Sequence, residues 1–145
     1  MRRPWVALLP LLLLGACTGL VRSSAVYESK AGQTAKVVAS AVKTARLACD
    51  AAAGGKAYGR YLAQVLVEAE EDAAAAQGTF DGIQPPDRSA DQLRSSLDRL
   101  LDEATSTLAD LRVAARRGHL DELQGLAEPL RKVSAQLADF AEAHA

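Results

Sequence analysis

Four carboxylates, Glu68, Glu70, Glu71 and Asp72, form the densest acidic cluster in the sequence, and Glu68 and Asp72 share a helix face at i, i+4. Acids projecting into a helical bundle hold paired metal ions when two of the helices also carry Glu-x-x-His. Only His119 and His144 are available, and neither has an acid three residues earlier. The cluster therefore reads as a solvated face, and no metal site is expected. Asp121 and Glu122, beside His119, suit the positive end of a helix, where acids are favoured. His144 is the penultimate residue and is expected to fray.

Nucleophilic catalysis needs a hydroxyl or thiol beside a base that a third group orients. Serines are plentiful, but one histidine marks a helix boundary and the other the chain end. No G-x-S-x-G is present, and Gly54-Gly55-Lys56 lacks the strand and spacing of a phosphate loop. Covalent haem attachment would require C-x-x-C-H, which is absent. The chain is expected to be non-enzymatic, with no cofactor.

Two cysteines remain, Cys17 and Cys49. Cys17 closes a leader: Arg2 and Arg3, an apolar run from Pro4 to Leu14, then small residues. Basic start, short apolar stretch and small-residue exit are the order of a secretory signal. The run is too short for a bilayer-spanning helix, which needs about 20 residues. Leu14-Gly15-Ala16-Cys17 resembles the lipobox of bacterial lipoproteins. That resemblance implies cleavage before Cys17, a diacylglyceryl group on its thiol, and residence on the extracytoplasmic face of the cell membrane. The segments expected are a signal peptide over 1–16, a lipidated cysteine and tether over 17–23, and a helical domain over 24–145.

Removal of residues 1–16 leaves 129 residues, enough for one domain with a core, with a formal charge of −3. Strong attraction to nucleic acid does not follow from that balance. The only Trp leaves with the leader, which disfavours sugar binding. With Cys17 lipidated, Cys49 has no internal partner, and it sits on an apolar stripe as a small core residue.

Abundant Ala and Leu with few β-branched residues favour helix. The stripes run in steps of three and four. The first is 27, 31, 35, 38, 42, 45, 49 and 52; the second is Leu62, Val65, Ala69, Ala73, Ala76 and Phe80. The third is Leu93, Leu97, Leu100, Ala104, Leu108, Leu111 and Ala115; the fourth is Leu120, Leu123, Ala127, Leu130, Val133, Leu137 and Phe140. Gly54-Gly55 interrupts the first two, and Pro85-Pro86 separates the second from the third. Ser89 with Gln92 reads as a capping box, Arg116-Arg117-Gly118 as a helix end, and Pro129 as a kink in the last helix. The expected fold is all-α, an antiparallel up-down four-helix bundle. It becomes three-helix over part of its length, with one long helix, if Gly54-Gly55 does not turn.

Charge is unevenly spread: residues 18–60 sum to +5 and residues 61–145 to −8. Lys36, Lys43 and Arg46 are candidates for a basic face towards anionic headgroups, cell-wall polymer or a partner. Phe80, Ile83, Gln84, Pro85, Pro86 and Asp87 form a candidate recognition loop. On this segment and its composition the chain is similar to small uncharacterised helical lipoproteins of actinobacterial type, a resemblance that implies no activity. Two functions stand. One is a membrane-anchored interaction or scaffold module with an envelope protein partner. The other is a binding protein for a small apolar or amphipathic ligand in a cavity lined by Leu62, Val65, Leu97, Leu100, Leu130 and Val133.

Overall fold

A computed structural model describes residues 23–57 and 59–145. The leader, the lipobox with Cys17 and the tether up to Arg22 lie outside the described residues. Four helices follow one another: α1 (Ser24–Ala53), α2 (Gly59–Asp81), α3 (Arg88–Arg117) and α4 (Leu123–Ala143). Short joints at 54–58, 82–87 and 118–122 make successive helices antiparallel, as expected of an up-down four-helix bundle. α1 packs on α2 and α4 and also across the diagonal on α3, whereas α2 and α4 do not meet among the described residues. Small residues permit the diagonal contact: Ala31, Ala35 and Ala45 of α1 and Ala104 of α3 are fully buried.

The Gly54-Gly55 joint turns, so α1 and α2 are separate helices. Gly55 takes φ 69°, and the amide of Lys56 returns to the carbonyl of Ala51 at 2.8 Å. A left-handed residue closing the last helical turn is what glycine supplies without steric cost. Gly118 does the same for α3 at φ 78°, with the His119 amide donating to Ala114 at 3.0 Å.

Other boundaries differ from the sequence reading. Asp87, not Ser89, caps α3: its carboxylate accepts from the amide of Ala90 at 2.9 Å, so the helix begins at Arg88. Ser23, the last residue assigned to the tether, caps α1: its hydroxyl accepts from the Val26 amide at 3.3 Å. α4 starts at Leu123 and continues through Pro129, leaving Leu120 exposed in the joint.

The core holds the anticipated stripes with local shifts of register. Leu66 and Leu101 are fully buried where Val65 and Leu100 were expected; those two are only half-buried. Cys49 is 1% exposed, and burial, with Asp50 beside it, pushes its thiol up to about 11. Among the described residues no polar or charged side chain is buried. Every residue offered above for acid–base or metal chemistry therefore stands at the surface, Cys49 apart.

Candidate functional site

The alternation of helices brings Ser24, the end of α2, the 82–87 joint, the start of α3 and the end of α4 to one end of the bundle. Side chains tie these pieces together. The Ser24 hydroxyl donates to the Asp87 carboxylate, which lowers the Asp87 pKa, helped by the backbone amide of Ala90. Arg94 of α3 donates to the carbonyls of Asp81 at 2.9 Å and Ile83 at 3.2 Å, placing a cation at the negative end of the α2 dipole. Phe80 is fully buried with its ring centroid 5.3 Å from that of Tyr27. Of the six candidate loop residues, Phe80 serves the core, Ile83, Pro85 and Pro86 are half-buried, and Asp87 is a cap. Gln84 alone stands fully exposed without a structural task.

His144, expected to fray, is placed against α1 and α4. Its Nδ1 lies 2.7 Å from Glu28 Oε1, and its ring centroid is 4.5 Å from that of Phe140. A surface hollow of about 280 Å³ beside it is lined in part by Ser24, Ser89 and Ser96. Histidine, carboxylate and serine thus come near one another, a grouping with no signature in the linear sequence. The Ser24 hydroxyl is spent on Asp87, and that of Ser96 on the carbonyl of Gln92 at 3.0 Å. No described serine is hydrogen-bonded to His144, so a nucleophile–base pair is not assembled.

The acidic cluster divides. Glu70 pairs with Arg112 of α3, Glu68 accepts from Gln64 at 2.9 Å, and Glu71 and Asp72 are exposed. His119 lies 3.6 Å from Glu122 in an exposed joint. No group of three His, Cys, Asp or Glu suited to a metal ion occurs among the described residues.

The three basic candidates also divide. Lys36 and Lys43, two turns apart, are exposed on the outer face of α1. Arg46 turns towards α4, into a hollow shared with Asp50, Gln124, Glu128 and Arg131. They do not make one patch.

A groove of about 640 Å³ lies between α1 and α2. Buried Ala41, Ala48 and Ala69 form its floor, and Val65 edges it. Val37, Leu47 and Tyr61 line it at 49%, 54% and 64% exposure, three of the five large apolar side chains most open to solvent. A second hollow of about 390 Å³ continues it towards Phe80 and Ile83, sharing Val37 and Asp72. The sequence reading missed this groove, because Val37 and Leu47 fall off the buried stripe and read as isolated apolar residues. The central cavity that the small-ligand function requires is closed core, with Leu62, Leu97, Leu130 and Val133 all fully buried.

No protein family model, curated protein or solved structure matches this sequence.

Proposed function

We propose that the chain is an envelope lipoprotein, anchored through Cys17, whose helical bundle is a non-enzymatic interaction or scaffold module. The observation that carries the interaction reading is the α1/α2 groove, whose open apolar side chains Val37, Leu47 and Tyr61 lie beside Glu68 and Asp72 of α2. Contiguous apolar surface with a charged rim is the usual anatomy of a contact site.

The lipobox residues support the anchor. No described helix is long and apolar enough to cross a membrane, and an anchor through Cys17 would precede Ser23. An anchor there lies at the same end as the 82–87 joint, which makes that joint membrane-proximal rather than outward-facing. Lys36 and Lys43 stand about 18 and 28 Å along α1 from its start. Both exceed the screening length of about 8 Å at physiological salt. In an upright bundle they address a protein partner rather than headgroups. For the alternative small-ligand function the α1/α2 groove is the candidate opening among the described residues, and it is a trough rather than an enclosed pocket.

The test is intact mass of protein extracted from envelope membranes, wild type beside Cys17→Ala. A cleaved, diacyl-modified chain that the substitution abolishes is the expected result; an unmodified wild-type chain overturns the anchor. The interaction reading is tested by Leu47→Glu with Tyr61→Glu, which should abolish cross-linking of the chain to its neighbours in envelope membranes; unchanged cross-linking overturns it.

A further inference from the structure

We infer that the turn after α4 is a proton-gated latch, which holds to α1 through His144 and Glu28 when the imidazole is protonated and loosens when it is neutral. The inference rests neither on the lipid anchor nor on the groove.

Three contacts seat the turn. Gly32 leaves room on α1 for the backbone of His144, whose carbonyl oxygen fills the place a side chain would take. The His144 ring lies against Phe140, one turn earlier in the chain, at a centroid distance of 4.5 Å. Its Nδ1 reaches Glu28 Oε1 at 2.7 Å. The first two contacts involve no titrating group of α1, so they place the ring whatever the pH. The third changes with the charge of the imidazole.

Imidazole is the side chain whose ordinary change of charge falls between about pH 5 and 8, a range through which ordinary carboxylates stay ionised. With its proton, the ring meets Glu28 as a cation. Without it the Coulomb attraction is gone, and a hydrogen bond from a neutral ring is the most that remains. The latch is therefore tighter in mild acid and looser as pH rises.

The surroundings leave this pair to itself. Among the described residues Glu28 and His144 have no ion-pair partner but each other. Across the hollow, α3 presents Ser89, Gln92, Leu93 and Ser96, none of them charged. Asp87, beyond Ser24, is taken up by the Ser24 hydroxyl and the Ala90 amide. On the latch's own element Glu142 is exposed and makes no ion pair with His144. The two side chains are 25% and 48% exposed, so solvent screens the pair in part and the gate is a modest one. Release uncovers Gly32 and removes one wall of the hollow beside Ser24 and Ser96.

The experiment follows alanine methyl relaxation in the full-length chain, labelled at its alanine methyls and extracted in detergent, at pH 5.5 and pH 8. Methyl signals avoid the faster amide exchange of the higher pH. The released population reported by Ala143 and Ala145 should be about two- to fivefold greater at pH 8. His144→Gln and Glu28→Gln should each abolish that difference, whereas His119→Gln, whose ring neighbours Glu122 in the 118–122 joint, should keep it. Gly32→Ala should release the turn at both pH values, which shows that the methyls report seating. A turn equally ordered at pH 5.5 and pH 8, or a response that survives His144→Gln, overturns the gate. If Gly32→Ala leaves the turn ordered, the seat itself is wrong and the latch falls with it.

Discussion

His144 lies directly over Gly32: a methyl group built on Gly32 would meet the carbonyl oxygen of His144 at a distance no side chain tolerates. The absence of a side chain at one position of α1 thus lets the last residues of the chain settle there. In this position His144 reaches Glu28, one turn earlier on α1. The contact closes the same end of the bundle that Ser24, Asp87 and Arg94 hold together.

Gly32→Ala should therefore have two opposed effects. Alanine gains about 1 kcal/mol of helix propensity, while the clash expels the C-terminal turn and breaks the His144–Glu28 contact. Net stability should change by less than about 1 kcal/mol, with faster amide exchange over 141–145. In a chain lacking residues 144 and 145, the same substitution should be stabilising. Urea denaturation of the four chains in this double-mutant cycle checks the coupling.

The register of α2 can be tested by neighbouring truncations. Leu66→Ala empties a fully buried site and should cost about 2–5 kcal/mol. Val65→Ala removes a half-buried side chain at the groove edge and should cost about 1 kcal/mol. Equal losses, or the reverse order, would place Val65 in the core instead.

Cys49 should resist thiol reagents at pH 8 in the native chain. Its thiol is buried, and its pKa of about 11 leaves little thiolate. Labelling should follow unfolding, rising in step with urea; rapid labelling in native buffer would contradict the burial.

Two aspartates should give opposite pH signatures. Asp87 is held below its ordinary pKa by the Ser24 hydroxyl and the Ala90 amide. Its stabilisation is present above about pH 4 and is lost as pH falls through the lowered folded value. Asp98 is raised, chiefly by burial and against the pull of Arg94. For it, folding favours the protonated form, so its contribution weakens as pH rises through the raised folded value. Relative to wild type, Asp87→Asn should destabilise at pH 7 and converge towards wild type at pH 3. Asp98→Asn should stabilise at pH 7 and converge at pH 3. Urea midpoints at the two pH values decide this.

The four apolar stripes, the buried character of Cys49 and the glycine end of α3 were determined by the sequence alone, whereas the turn at Gly54-Gly55, and with it the separation of α1 from α2, was decided by the structure. Periodicity of apolar residues, consecutive prolines and left-handed glycines are local signals, and local physics suffices to read them. Tertiary structure decided whether Val65 or Leu66 faces inward, because neighbouring apolar residues are both compatible with one stripe until a facing helix selects between them. It also decided the roles of the Phe80–Asp87 segment. Ser24 and Tyr27 are remote in sequence and Arg94 comes from the next helix, so nothing within the segment announces that it is clasped. The groove belongs to the same class: Val37, Leu47 and Tyr61 come from two helices, and only the packing of α1 on α2 leaves them side by side in solvent.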